Sequence, residues 1–219
     1  MVQGAITKSI TTLNEAEAKF NLRRTENEQF FREWFADLPE LTQEEQTALD
    51  QIKARYRYHR ADGPLAEGAV NLIVVSRLLE LAGFYDPPFK IRAEVSVEVT
   101  TEVEDEILRG RLDFLVVLNQ FWVVVIESKH TDFDIELAIP QTLAYMMAMP
   151  HPDRPVFGMV TNGGTFAFLK LTQQALPQYD ISDVFSLLPR RNQLYEVLQV
   201  LKRVGKLIEN RASGVGAGG

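Results

Sequence analysis

The sequence contains Gly110-Arg111-Leu112-Asp113 and, shortly after it, Val123-Val124-Val125-Ile126-Glu127-Ser128-Lys129, and these segments predict two adjacent strands of one sheet. Successive side chains of a strand point to opposite faces, so Glu127 and Lys129 share a face while Ser128 points to the other. The sequence therefore predicts two carboxylates and an ammonium at one edge of the sheet, where they could form a metal and water site.

The pairing of these strands decides whether Asp113 reaches that site. A simple two-residue turn at Asn119-Gln120 would place Asp113 on the same face as Ile126 instead of Glu127. A three-residue connection, or one β-bulge, places Asp113 opposite Glu127. The further pairs that this register predicts are Leu115 with Val125 and Val117 with Val123. We therefore expect an irregular hairpin.

Two neighbouring carboxylates repel each other unless a positive charge lies between them. Lys129 alone can neutralise only one of Asp113 and Glu127, whereas Mg²⁺ prefers several oxygen ligands in octahedral geometry. The pattern therefore indicates a divalent-metal site. The alternative is a surface ion pair between Glu127 and Lys129 at the end of a strand, with Asp113 unrelated to it.

A third motif, Gln141-Thr142-Leu143-Ala144-Tyr145, follows these strands. Together with Asp113 and Glu127-Ser128-Lys129, it resembles the PD-(D/E)-x-K nuclease superfamily, and most of all the nuclease domain at the N-terminus of type I restriction enzyme motor subunits. The resemblance covers roughly residues 64 to 170. The chain departs from the pattern at Leu112, where the family name records a proline.

The resemblance implies a catalytic set that consists of Glu67, Asp113, Glu127 and Lys129. By the same resemblance, Mg²⁺ or Mn²⁺ is held by Asp113, Glu127 and the Ser128 carbonyl, and by Glu67 directly or through water. Lys129 is then expected to orient the attacking water and to stabilise the charge that develops on the phosphate.

A helix predicted from about Leu65 to Ala82 carries Glu67 in its first turn. By helical spacing, Glu67 begins a row with Val70, Val74 and Leu78 that faces inward. Its carboxylate therefore either points toward a buried site or merely favours the positive end of the helix dipole.

The helix predicted between Asp132 and Met149 carries Gln141 and Tyr145 on one face, and Pro140 suits the beginning of its regular part. The resemblance implies that this pair lies near the active site and contacts DNA. The alternative is a tyrosine that caps the core and a glutamine on the surface.

The segment from Lys53 to Arg60 interleaves cations with aromatic residues, as expected of a surface that binds phosphates and stacks bases. Arg55 and Arg57, together with Arg60, are therefore candidate DNA contacts. Cations also complement the dipole at the end of a helix, so a purely structural role stays open.

The order of predicted elements gives the fold. Capping-box spacing at Thr12, Thr25 and Thr42 predicts helices in the first 60 residues. Alternation over 90–103 predicts a half-buried strand, whose Glu94 and Glu98 are either solvated or close to the metal. Apolar runs at 112–118 and 121–127, a hairpin over 156–171 and a helix over 190–210 follow. We expect a restriction-endonuclease-like α/β/α sandwich with a mixed central sheet and additional N-terminal and C-terminal helices.

Four segments are predicted from these patterns. They are an N-terminal helical segment (1–62), a nuclease-like core (63–172), C-terminal helices (173–211) and a disordered glycine-rich tail (212–219).

Composition agrees with one domain and excludes several classes of site. The 219 residues are 46% hydrophobic and contain no cysteine, which excludes disulfides and thiolate chemistry. The three histidines lack zinc-ligand spacing.

The N-terminus lacks a signal peptide, no stretch reaches the length of a membrane span, and the expected location is the cytoplasm. A net charge of -7 requires that any DNA-binding groove be local.

The sequence thus predicts an Mg²⁺- or Mn²⁺-dependent endonuclease that hydrolyses DNA phosphodiester bonds in a restriction-related role. No G-x-x-x-x-G-K-[ST] motif is present, so the chain has no ATP-driven motor of its own. DNA is the expected partner, with a motor or methyltransferase subunit, or a second copy of the chain, as further options. The alternative function is a catalytically inactive nuclease-fold module that binds nucleic acid or a protein.

Overall fold

The computed structural model describes residues 3–101, 107–119, 121–174 and 176–214. Within these ranges the central feature is a nine-stranded sheet. Its strands are β1 (Gln3–Ala5), β2 (Arg23–Arg24), β3 (Phe89–Thr100), β4 (Ile107–Leu118), β5 (Phe121–Ser128), β6 (Val156–Thr161), β7 (Thr165–Thr172), β8 (Gln178–Ile181) and β9 (Phe185–Ser186).

The helices are α1 (Ile6–Ser9), α2 (Leu13–Phe20), α3 (Gln43–Arg60), α4 (Glu67–Val70), α5 (Ser76–Leu81), α6 (Ile139–Met147) and α7 (Leu194–Gly214). A π-helical turn, Asn71–Val75, joins α4 to α5, and short 3-10 helices lie at Arg32–Trp34 and Ile135–Ala138. No helix in the described ranges is long and apolar enough to cross a membrane.

The sheet is mixed and runs in the order β1-β4-β5-β6-β7-β8-β2, with β3 also paired to β4 and β9 to β7. The pairs β1/β4, β5/β6 and β2/β8 are parallel, and the other pairs are antiparallel. Parallel neighbours need a crossover connection, and α6 supplies it between β5 and β6.

Two hydrophobic cores lie on opposite faces of this sheet. One packs α3, α4, α5 and α7 against the sheet, and the other packs α1, α2 and α6 against it. Residues 115–118 of β4 and 123–128 of β5 are all buried because helices cover both faces there, which explains the continuous apolar runs of these strands. The predicted α/β/α sandwich with a mixed sheet is confirmed.

The hairpin between β4 and β5 contains the irregularity that the site requires. Leu118 pairs with Phe121 across a two-residue turn, but the register shifts between Val116 and Val117. The pairing of Leu115 with Val125 is confirmed. The predicted pairing of Val117 with Val123 is wrong. Val117 pairs with Trp122 and Val116 with Val124, so the bulge lies at Val123 of β5.

The edge of β4 that faces β5 has a gap. β1 pairs with residues 107–109 on that edge, and the pairing with β5 begins at Phe114. A Cβ at Gly110, inside the gap, would lie 2.5 Å from Cε1 of Tyr145. Only glycine lets the ring of Tyr145 pack directly on the strand there, so α6 is held against the strand that carries Asp113.

The first 60 residues differ from the prediction in two ways. The capping boxes at Thr12 and Thr42 are confirmed. The helix expected at Thr25 is absent, because side-chain oxygens of Thr25 and Asn27 accept backbone N–H bonds two residues ahead and form turns instead. This segment also contributes β1 and β2, which are too short to leave a periodic pattern in the sequence.

The C-terminal segment also contains short strands, β8 and β9, before its helix begins. α7 extends through Gly214, past the predicted start of the glycine-rich tail at Ala212. The rest of that tail, residues 215–219, lies outside the described residues.

Candidate active site

Glu127 and Lys129 lie at the end of β5, between β4 and β6. Glu127 is only 2% exposed, and Nζ of Lys129 donates a hydrogen bond to its Oε1 at 2.5 Å. The second carboxylate oxygen, Oε2, is buried and has no hydrogen-bond partner among the described residues. A buried carboxylate with a free oxygen is costly unless another ligand or cation uses it.

Asp113 joins the same site through Ser128. Its Oδ2 accepts hydrogen bonds from the Ser128 backbone N–H at 2.6 Å and from the Ser128 hydroxyl at 2.9 Å. The β4–β5 ladder ends at the pair Phe114 and Ile126, so the Asp113 carboxylate replaces the next backbone acceptor. Strand alternation placed the Ser128 hydroxyl on the opposite face and therefore missed this contact.

Glu67 approaches from the start of α4. The Leu65 N–H donates to Oγ1 of Thr131 at 2.8 Å, and the Thr131 N–H donates to the Leu65 carbonyl at 3.1 Å. These bonds fix the segment before Glu67 beside the segment after Lys129. Row members Val70, Val74 and Leu78 are fully buried, as predicted, so the Glu67 face of the helix points inward.

The electrostatics of the site reflect an excess of negative charge. Burial above all, and then the negative charges of Asp113 and Glu67, raise the pKa of Glu127 to about 7 against the opposing effect of Lys129. Burial also raises the pKa of Glu67, with Asp113 adding to the effect. Burial alone would lower the pKa of Lys129, but the carboxylates led by Glu127 outweigh it and raise the value overall. One ammonium thus faces three carboxylates.

The donor set fits a hard divalent cation in part. Carboxylate oxygens are the ligands that Mg²⁺ and Mn²⁺ prefer, and the free Oε2 of Glu127 and the charge excess both favour a cation. Among the described residues, however, no three Asp, Glu, His or Cys side chains form a ready metal-binding group. Asp113 and Glu127 are therefore the direct candidates, and Glu67 fits better as a ligand through water.

The Gln-x-x-x-Tyr motif lies behind this site. Tyr145 is 1% exposed and packs on Gly110. Burial, then the negative charges of Glu127 and Asp113, raises the pKa of its hydroxyl. This position differs from the expected DNA contact, because the ring fills the gap in the sheet edge. Gln141, one turn earlier, is half-buried.

Glu94 and Glu98 do not turn toward the site. Glu94 lies on β3 between the pairs Ala93–Phe114 and Val95–Leu112, directly across from Asp113, and has a φ of 54°. Its carboxylate pairs with Arg111, and Glu98 pairs with Arg109, with all four side chains more than half exposed. The solvated alternative is therefore confirmed for both.

The cations of α3 divide into separate environments. Arg57 donates to the carbonyls of Leu187 and Pro189 at 3.3 and 3.4 Å. Arg60 forms an ion pair with Asp132 at 3.0 Å. Arg55 is exposed and lies about 200° around the helix from Arg57.

Comparison with known proteins gives one family. The family described as "Type I restriction enzyme R protein N terminus" matches residues 7–175. A comparison with curated proteins found no match. Among solved structures, a fragment described as an HsdR subunit of a type I restriction enzyme from Vibrio vulnificus YJ016 is similar, with 19% identity and a TM-score of 0.40. The match covers 56% of this chain and 24% of that chain.

The family match begins in α1 and continues beyond β7. It therefore includes the strands and helices that carry Glu67, Asp113, Glu127 and Lys129. Because the match spans most of the sequence, the chain belongs to the family of type I restriction enzyme R protein N-termini.

Proposed function

We propose that this chain is a divalent-metal-dependent endonuclease that hydrolyses DNA phosphodiester bonds in a restriction-related role in the cytoplasm. The single observation that carries the proposal is the Glu127 carboxylate, which is buried beside Lys129 and Asp113 with one oxygen free. A second carboxylate beside a buried one destabilises the fold, and perturbed carboxylates of this kind cluster at functional sites.

Asp113 and Glu127 would hold Mg²⁺ or Mn²⁺, with the Ser128 carbonyl and Glu67 as further ligands. When bound, the ion would lower the pKa of a coordinated water and polarise the scissile phosphate. The two hydrogen bonds from Ser128 orient Asp113, so its carboxylate is held in place before substrate arrives.

Lys129 acts as a hydrogen-bond donor in this proposal. Its raised pKa keeps it an ammonium at neutral pH, so it cannot serve as the general base. A compact ammonium beside the metal ligands can orient the attacking water and stabilise the negative charge that grows on the phosphate in the transition state.

The family of type I restriction enzyme R proteins supports the expectation of subunit partners. We propose that a motor or methyltransferase subunit works with this chain on DNA, and a homodimer is the other assembly to test. Purification with the neighbouring gene products would separate these arrangements.

The direct test is a cleavage assay on supercoiled, linear and single-stranded DNA with Mg²⁺, Mn²⁺ or EDTA. We expect cleavage with either ion and none in EDTA. Asp113→Asn should abolish cleavage, whereas Asp62→Asn, an exposed site with the same change in charge, should not. If the wild type binds DNA but cleaves none of the three forms with either ion, the chain is a non-catalytic nuclease-fold module.

A further inference from the structure

A cavity of about 520 Å³ opens between the end of α3 and the turn that joins β6 to β7. Tyr56, Arg57 and Arg60 form its helical wall, and Thr131, Ser186 and Leu188 lie across from them. The turn is pressed closely against α3, since a Cβ at Gly164 would lie 2.4 Å from the Tyr56 hydroxyl. The wall of the cavity is therefore well defined.

The cavity is built for an anion. Its lining includes the two guanidinium groups and several hydroxyls, and no carboxylate side chain belongs to the lining. Arg60 is balanced by Asp132 just outside, but that ion pair is exposed on both sides, 39% and 50%, so a phosphate can compete for Arg60. Arg57 has only long bonds to carbonyls and retains donors for a ligand.

The cavity adjoins the candidate active site. Thr131, in its lining, follows Lys129 by two residues, a distance of at most about 7 Å along the chain. The backbone N–H of Lys129 donates to Thr161, and the Asn162 side chain donates to the Phe133 carbonyl at 2.9 Å. These bonds hold the two sites in a fixed relation to each other.

The size and the apolar part of the lining favour more than a phosphate. Two leucines belong to the lining: Leu187 is buried, whereas Leu188 is 89% exposed. A flat, partly apolar ligand that carries a phosphate suits a wall of this kind, and pockets from about 300 Å³ upward hold small organic ligands. A nucleotide combines these properties.

We propose that this cavity holds one nucleotide of the DNA strand that enters the active site, with its phosphate on Arg57 and Arg60. The proposal rests on the proposed function for the identity of the strand. The proposal assigns a phosphate contact to Arg57 and Arg60 but not to Arg55, because Arg55 points away from the cavity.

The test measures binding in EDTA, where cleavage cannot interfere. The probe is a fluorescent single-stranded oligonucleotide of about ten nucleotides, followed by anisotropy across a range of salt. Arg60→Ala should weaken binding about fivefold in 0.1 M salt and lower the salt slope by about 0.7, the loss of one phosphate contact. Asp132→Asn, which releases Arg60, should tighten binding.

Arg55→Ala is the matched control, because it removes the same charge from the same helix outside the cavity. It should leave affinity and slope nearly unchanged. An equal effect of Arg55→Ala and Arg60→Ala would overturn the proposal in favour of diffuse attraction, as would a wild type that does not bind the probe. Thermal melting of each variant checks that the fold is intact.

A deoxynucleoside monophosphate distinguishes the source of the ligand. If it displaces the oligonucleotide at micromolar concentration and this depends on Arg60, the cavity takes free nucleotides, and the DNA-strand proposal is overturned. The cleavage assay is independent of these results. A chain that never cleaves but retains the Arg60 effect would lose the nuclease function and keep the nucleotide site.

Discussion

Among the described residues, two mostly buried lysine–glutamate pairs have similar geometry but different surroundings. Lys129 contacts Glu127 at 2.5 Å, and Lys170, on β7, contacts Glu33 at 2.7 Å. Both lysines are mostly buried, and both glutamates have a buried Oε2 without a partner among the described residues. By distance and burial alone, neither pair could be chosen as the functional one.

The neighbours separate the two pairs. Lys170 also donates to the Phe30 carbonyl at 2.6 Å and lies 5.2 Å from the centre of the Phe30 ring. Glu127 instead lies near Asp113 and Glu67, whose negative charges add to the effect of burial and raise its pKa. A buried ion pair alone is therefore weak evidence of function. A buried ion pair with further carboxylates beside it is much stronger evidence of function.

The largest expected effect concerns the Lys170 pair. Lys170→Met should lower the free energy of unfolding by about 3–5 kcal/mol, because it leaves Glu33 buried without a cation. Urea denaturation measures the loss. The double variant Lys170→Met/Glu33→Leu should recover most of it, and cleavage per folded molecule should not change. A loss of cleavage in the folded double variant would contradict the assignment of this pair to structure.

Lys129→Ala should differ from Lys170→Met in its effect on cleavage per folded molecule. Cleavage should fall on the order of 10²-fold or more, with DNA binding much less affected, because the ammonium acts mainly in the transition state. Single-turnover kinetics with a binding assay separates the two. Lys129→Arg should also fail, since a planar guanidinium does not replace a compact ammonium. Unchanged turnover in Lys129→Ala would remove this residue from the mechanism.

The next largest effect should be the change in stability that a divalent metal ion causes at the Glu127 site. A hundredfold excess of Mg²⁺ or Mn²⁺ over its dissociation constant should stabilise the wild type by up to ~2.7 kcal/mol. Asp113→Asn should respond far less, and in EDTA it should be at least as stable as the wild type, because one repulsive charge is gone. Calorimetry with and without the ion measures both. Identical responses of the two proteins would mean that the carboxylates do not form a metal site.

The pH dependence in EDTA gives the smallest effect. The pKa of Glu127 is about 7 in the folded chain and 4.5 as its ordinary value, so the folded state keeps the proton up to a higher pH than the unfolded state does. The contribution of this group to stability should therefore be fully present below about pH 4.5 and be lost as the pH rises to about 7. Glu127→Gln should remove much of this fall and gain roughly 2 kcal/mol at pH 8, less than the full linkage value because Gln loses a charge-assisted bond from Lys129.

Denaturation at several pH values measures this difference, and Glu33→Gln provides the comparison from the other pair. If Glu127→Gln and the wild type lose stability in parallel between pH 5 and pH 8, the raised pKa does not belong to Glu127.

The parts of the fold with a repeating pattern were predictable from the sequence. The alternation of β3 and the apolar runs of β4 and β5 identified these strands, and the need for Asp113 to face Glu127 predicted an irregular hairpin. The exact position of the bulge has no signal in the residues themselves. β1 and β2 gain their conformation from pairing with distant strands, so a local pattern cannot reveal them.

The candidate site was partly predictable for a similar reason. Motif spacing identified the residues that converge, namely Asp113, Glu127 and Lys129. It could not show that Tyr145 turns inward, because this follows from the gap opposite Gly110. It could not show that Arg57 and Arg60 line a cavity while Arg55 does not, because the cavity is closed by a turn more than 100 positions later in the sequence.

The two short strands near the N-terminus also determine when the sheet can be completed during synthesis. β1 and β2 both pair with strands far along the sequence: Gln3 lies opposite Ile107, and Arg23 lies opposite Gln178. At about 5–20 residues per second, β8 leaves the ribosome about 10–30 s after its partner β2. Until then the growing chain holds open sheet edges that invite pairing with other chains. Production of this protein should therefore benefit from chaperones that cover these edges until their partner strands have been synthesised.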